Sequence, residues 1–151
     1  IDAVICVDLP SAVVEEKRLR DSLKKENIAL IKLITPTTSD ERIKEIVKDA
    51  EGFIYSVNVE GQTGVKSADV DKVNFQIEKI KKYTKIPVVS GFGIKNEEDV
   101  KVFSKSKADG IVLGSAIINE IQKKSSKTMD KHIIANFIND YCKKLINNLN
   151  T

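Results

Sequence analysis

Two consecutive glycine turns carry the clearest chemical signal in this chain. One is Ser90-Gly91-Phe92-Gly93-Ile94, and the other, one strand-and-helix unit further on, is Gly114-Ser115-Ala116-Ile117. Glycine lets backbone N–H groups approach an anion closely, because no Cβ stands in the way. Gly114-Ser115 also opens a short helical pattern through Ile118. The free N–H groups at such an N-terminus, backed by the helix dipole, favour a phosphate. No lysine or arginine is needed for this grip, although Lys66 and Lys95 would add long-range attraction. A single glycine turn is better read as a tight turn; two on neighbouring units point to phosphate binding.

The stretch 52–67 is the second unusual feature. A strand pattern at 53–57 ends in Asn58-Val59-Glu60-Gly61-Gln62-Thr63-Gly64, and a polar run continues to the helical pattern at Val73. Loops of about fifteen residues without structure of their own are uncommon and often act as lids. Gly61 and Gly64 would supply hinge freedom. Tyr55 in the preceding strand either points its ring into the mouth of the fold or packs in the core; spacing leaves both open. Glu60 reads as a solvated loop charge, and Asp8 as a residue that orders its own loop beside Pro10.

The elements that must position these residues alternate along the chain. Strand patterns at 3–7, Ala29–Ile34, 53–57, 87–90 and 110–113 are each followed by a helical pattern. The strand runs lack polar alternation, which fits parallel strands buried on both faces. Ile43, Ile46, Val47 and Ala50 form a helical stripe opened by a Thr38-x-x-Glu41 capping box. Val73, Ile77 and Ile80 mark the next stripe, and Asn96 caps the helix carrying Val100 and Phe103. The last helix shows an unbroken stripe: Ile133, Ile134, Phe137, Ile138, Tyr141, Cys142, Leu145, Ile146 and Leu149. Polar or glycine-rich residues follow every strand, and a barrel uses all of those turns for one site. An open doubly wound sheet concentrates its ligand contacts at a switch point and would need a glycine-rich turn after its first strand. The reading is therefore the last five βα units of a (β/α)₈ TIM barrel, as one α/β domain over 1–151.

Composition bounds the rest. At 151 residues, 41% hydrophobic and 31% charged, the chain suits one soluble globular domain. No apolar run is long enough to span a bilayer, and no charged-then-apolar leader opens the chain. It begins with Ile1 inside a strand pattern, so an upstream part of a longer protein is expected. The net charge of +3 arises from 25 basic and 22 acidic residues. These lie intermixed on helix faces such as 15–25 and 78–85, read as solvated outer surface; a nucleic-acid patch would gather bases on one face with aromatics between them. Cys6 and Cys142 read as buried thiols in a reducing cytoplasm; two distant cysteines and one histidine, His132, make no metal set.

At the turns and the loop the chain resembles the α subunit of tryptophan synthase over nearly its whole length. The resemblance rests on Val7-Asp8-Leu9-Pro10, 31–36, Phe53-Ile54-Tyr55-Ser56-Val57, Gly61-Gln62-Thr63-Gly64, 89–94 and Gly114-Ser115-Ala116-Ile117. It implies a lyase that cleaves indole-3-glycerol phosphate by a retro-aldol reaction to indole and glyceraldehyde 3-phosphate, in tryptophan biosynthesis. By motif match, Gly93, Gly114 and Ser115 hold the substrate phosphate with Phe92 beside it. Tyr55 lies against the substrate, Thr63-Gly64 belong to the mobile loop, and Ile5 and Leu33 line the indole pocket. No cofactor is implied in this chain; pyridoxal phosphate belongs to a partner β subunit in an α2β2 assembly. Gln62 departs from the small β-branched residue usual at that position.

The resemblance also implies an absence. The family's acid/base pair, a glutamate on the second strand and an aspartate in the loop after it, lies upstream of Ile1. A retro-aldol cleavage needs a proton delivered to indole C3, a base for the glycerol hydroxyl, and a group near the indole N–H. Positioned acids and bases contribute roughly 10²–10⁴-fold to such steps. About 100 further upstream residues would carry them, as a barrel of roughly 250 residues requires. Two other readings are weighed: another phosphate-binding barrel isomerase or lyase, and a partial barrel kept as a non-catalytic binding module.

Overall fold

Valine, isoleucine and leucine gather in five short runs, and each becomes a parallel strand followed by a helix. In chain order these are β1 (Ala3–Ile5), α1 (Val14–Lys25), β2 (Ala29–Ile34), α2 (Asp40–Lys48), β3 (Ile54–Val57), α3 (Ser67–Lys81), β4 (Val88–Gly91), α4 (Glu97–Phe103), β5 (Gly110–Ile111), α5 (Ser115–Lys124) and α6 (Lys131–Leu149). The computed structural model describes residues 1–11, 13–57, 67–91, 94, 96–124 and 130–149. The sheet order is β1-β2-β3-β4-β5, every pair parallel. Strands laid down strictly in sequence belong to a barrel wall, since a doubly wound sheet reverses its order at a switch point.

Register divides the strand residues between two faces. Ile34, Ile54 and Val88 point to the helix-covered face. There they form one core with Ile43 and Ile46 of α2, Val73, Ile77 and Ile80 of α3, Val100 and Phe103 of α4, and Leu145 of α6. Each fully buried aliphatic side chain contributes about 1.5–3 kcal/mol. The other face carries the row Leu33, Tyr55, Val89 and Gly110, which are partners in register and only half-buried. Ile5 is 41% exposed at one end of the sheet and Val112 36% exposed at the other. Among the described residues no second layer covers this apolar face.

The helix ends follow local chemistry. α1 closes with Asn27 at φ 56, a left-handed position that asparagine tolerates. The Asn27 N–H donates to the Lys24 carbonyl and the Ile28 N–H to the Leu23 carbonyl, the Schellman pattern. Asn96 Oδ1 accepts the Asp99 N–H at 2.9 Å and starts α4, as its sequence position suggests. The expected Thr38-x-x-Glu41 box does not form. Ser39 caps α2 by accepting the Arg42 N–H, while Thr38 Oγ1 accepts the Thr35 N–H in the preceding turn. A hydroxyl already committed to the turn is not available to cap the helix.

Other boundaries also move. β1 stops at Ile5 rather than residue 7, and β5 at Ile111 rather than 113, although the Val112 N–H still reaches the Ser90 carbonyl at 2.9 Å. The helix after β5 runs to Lys124, well past Ile118. The stripe of α6 divides: Leu145 is buried and Tyr141 and Leu149 pack on the core, but Ile133 and Ile146 are exposed. A continuous stripe on a terminal helix finds neighbours only where α4 and α5 lie against it.

Candidate functional site

The carboxyl ends of adjacent strands bring Gly91 and the Gly114-Ser115 turn to one end of the sheet. β4 ends at Gly91, and after β5 the chain passes through Gly114 into α5. The Ile117 and Ile118 N–H groups both turn back to the Gly114 carbonyl at 3.1 Å. Ser115 and Ala116 therefore open the helix with N–H groups that have no partner within it. Ala116 is buried and anchors the turn, while Gly114 and Ser115 are exposed. A Cβ placed on Gly114 would meet nothing within 4 Å, so the space before the helix is open. Such a terminus attracts an anion through its N–H groups and its dipole.

Gly91 is a different case. A Cβ there would stand 2.0 Å from the Tyr55 hydroxyl oxygen, so only glycine leaves room for this ring. The Tyr55 hydroxyl donates to the Gly91 carbonyl at 3.3 Å. Burial pushes the phenol further above its ordinary pKa. Its ring lies on the half-buried face, beside Leu33 in register, and not in the helix-covered core.

Leu33 and Val57 also wall a cavity of about 260 Å³. It lies where β1 stops pairing with β2, and Cys6, Val7 and Leu9 close it from the other side. Ile5 and Tyr55 lie outside its wall. Thr63, Gly64, Phe92 and Gly93 lie outside the described residues, as do Glu60, Gly61, Gln62, Lys66 and Lys95. Asp8 and the His132 side chain are exposed, and Cys6 and Cys142 are free, half-buried thiols. Among the described residues no group of three or more His, Cys, Asp or Glu could hold a metal, and no helix is long and apolar enough to cross a membrane.

Sequence reasoning missed the charged groups beneath this end. Glu16 sits in the α1 face read as solvated, yet it is buried and ion-paired with Lys32 of β2, each side chain 4% exposed. A lysine inside an otherwise apolar strand was the available signal, since a buried charge requires a partner. Gln76 of α3 is buried too and donates to the Thr35 carbonyl at 2.9 Å, tying α3 to the end of β2. Arg42 of α2 reaches across to the Ser11 carbonyl in the segment after β1.

With this geometry in view, the chain can be set beside known proteins. A family model described as tryptophan synthase alpha chain matches residues 1–147. The tryptophan synthase alpha chain of Bacillus thuringiensis (strain Al Hakam) is 38% identical over 135 residues, 89% of this chain and 51% of that protein. Its counterpart in Caulobacter vibrioides (strain NA1000 / CB15N) is 43% identical over 122 residues, 81% of this chain and 43% of that one. Among solved structures, a tryptophan synthase alpha chain from Legionella pneumophila superposes with a TM-score of 0.78 at 27% identity, covering 99% of this chain and 52% of its own. A tryptophan synthase subunit alpha from Campylobacter jejuni gives 0.71 at 36% identity, covering 93% and 54%. The chain spans about half the length of the curated relatives it matches.

Proposed function

Since the chain belongs to the tryptophan synthase alpha chain family, we propose that it is the C-terminal, phosphate-gripping part of a lyase that cleaves indole-3-glycerol phosphate to indole and glyceraldehyde 3-phosphate. The observation that carries this reading is the open N-terminus of α5 at Gly114-Ser115, which follows the strand paired with the one ending at Gly91. There the Ser115 and Ala116 N–H groups hold the substrate phosphate, with Gly93 completing the cradle and Phe92 beside it. Tyr55 bears on the body of the substrate from the half-buried face. Leu33 and Ile5 wall the indole ring, and Thr63-Gly64 close over it.

The reaction's acid and base are supplied from elsewhere. In this reading the chain's own carboxylates do not act on the substrate, and Asp8, which is exposed, takes no part. The protons at indole C3 and at the glycerol hydroxyl are handled by carboxylates of an upstream portion, which completes a single barrel domain with residues 1–151. The product indole passes to a β subunit that carries pyridoxal phosphate, in the cytoplasm. Membership of the family over 1–147 favours this reading over an isomerase or lyase of another pathway.

The test uses the complete protein with its upstream portion. Release of indole from indole-3-glycerol phosphate is expected, with competitive inhibition by indole propanol phosphate. Ser115→Asp should weaken both binding events strongly, because a carboxylate then faces the phosphate. A complete protein that binds neither compound would refute the proposal, and one that binds but releases no indole would leave a non-catalytic binding module.

A further inference from the structure

The segment after β1 is the least conventional part of this end of the fold. The β1–β2 ladder stops at Ile5 and Ile31, and α1 begins only at Val14. Between them, residues 6–11 stand off β2 across the cavity of about 260 Å³ that Leu33 and Val57 wall. Two cations from other elements hold this span. Lys32 of β2 fixes the first turn of α1 through buried Glu16. Arg42, in the first turn of α2, donates from Nη2 to the Ser11 carbonyl, while its Nη1 donates to Glu45 Oε2 at 2.8 Å.

The guanidinium is suited to this double task. Its nitrogens point in fixed, different directions, so one group can bond Glu45 on its own helix and Ser11 across the gap at once. An ammonium also carries several donors, but they share one nitrogen, so it bridges two separated acceptors less well than the planar fork. Glu45 is exposed, so that bond contributes little by itself. The Ser11 bond lies in a half-buried place, and charge-assisted bonds there are the stronger kind.

We propose that Arg42 is a positioning residue of the substrate pocket. By holding the Ser11 carbonyl it sets the height of residues 6–11 above the cavity, and with it the fit of the wall that continues from Ile5 and faces Leu33. Arg42 touches no reacting atom. It acts on ground-state and transition-state binding alike, because it shapes an apolar wall and aims no group at the atoms where charge develops. Loss of such uniform binding raises KM and leaves kcat in place. The inference rests on the reading of Ile5 and Leu33 as the wall of the aromatic pocket.

The experiment compares Arg42→Met, Arg42→Lys and Glu45→Gln in the complete protein. Arg42→Met should raise KM for indole-3-glycerol phosphate by about three- to tenfold, a part of the free energy of one charge-assisted hydrogen bond, with kcat within about twofold. Arg42→Lys, which keeps the charge and a single donor nitrogen, should recover part of the loss, and Glu45→Gln should behave as the parent. Hydrogen exchange at the Val7, Asp8, Leu9 and Ser11 amides should quicken in Arg42→Met. An unchanged KM, a fall in kcat of equal size, or the same effect from Glu45→Gln would overturn the proposal. If the parent releases no indole, the functional reading fails instead. Exchange at the four amides then decides alone, and unaltered exchange overturns the positioning role.

Discussion

Gly91 and Gly114 look alike in the sequence, but the structure gives them different work. At Gly91 the missing Cβ makes room for the protein's own Tyr55 hydroxyl; at Gly114 it leaves open space. A methyl at Gly91 must displace the ring, and overpacking of this kind costs about 1–3 kcal/mol. Gly91→Ala is therefore expected to lower thermal stability and substrate affinity together, as Tyr55 is pushed off its position. Gly114→Ala should leave the melting temperature unchanged within error and weaken phosphate affinity alone. Calorimetry and inhibitor titration on the two variants check this. Equal melting losses, or an unaffected Gly91→Ala protein, would contradict the assignment. The motif was legible from residue types, but which glycine serves the protein and which serves the ligand depends on a ring that approaches from another strand.

At the level of elements, the start of the β4–β5 pair is held by one carboxylate. Asp109 accepts the Val88 N–H and the Lys81 ammonium, both at 2.8 Å, and its own N–H bonds the Val88 carbonyl. Burial opposes ionisation, yet the bonds from Lys81 and Val88 outweigh it and hold the carboxyl below the usual carboxylate range. A group with a lowered folded pKa contributes stability that is complete above its unfolded value of about 3.9, and that is lost as pH falls through the lower folded value. Melting temperatures between about pH 5 and pH 3 should therefore fall more steeply for the parent than for Asp109→Asn. Parallel curves would remove Asp109 from this role. Asp40 and Asp49 are lowered as well, by the Tyr83 hydroxyl and by Arg20 respectively, and both remain in the variant. None of these pairs was visible in the sequence, because each joins residues from different βα units.

For the whole molecule the strand count decides behaviour. Among the described residues, five strands in sequence order end in two edges, β1 and β5, with a half-buried apolar face between them. Unpaired edge groups recruit other strands. We expect this 151-residue chain on its own to self-associate or fold poorly, and to release no indole. Sedimentation velocity and a lyase assay check both. A monomer that unfolds cooperatively and cleaves indole-3-glycerol phosphate would show that the edges and the catalytic groups had been misjudged. The same polypeptide co-expressed with the upstream half of a relative should become monomeric if the edges are the cause.

The sequence alone determined the alternation of strand and helix, the parallel sheet and the placing of two glycine turns after adjacent strands. Those follow from local periodicity and from backbone sterics, which a run of ten or fifteen residues already contains. Helix starts were read less well: Ser39 replaced Thr38 as the cap of α2 once Thr38 had bonded to Thr35. Only the tertiary structure decided that Glu16 and Lys32 neutralise each other under α1, that Tyr55 rests over Gly91, and that Arg42 spans to Ser11. These contacts join residues separated by 16, 36 and 31 positions. Their existence depends on which faces the register turns toward each other, and no local pattern carries that information.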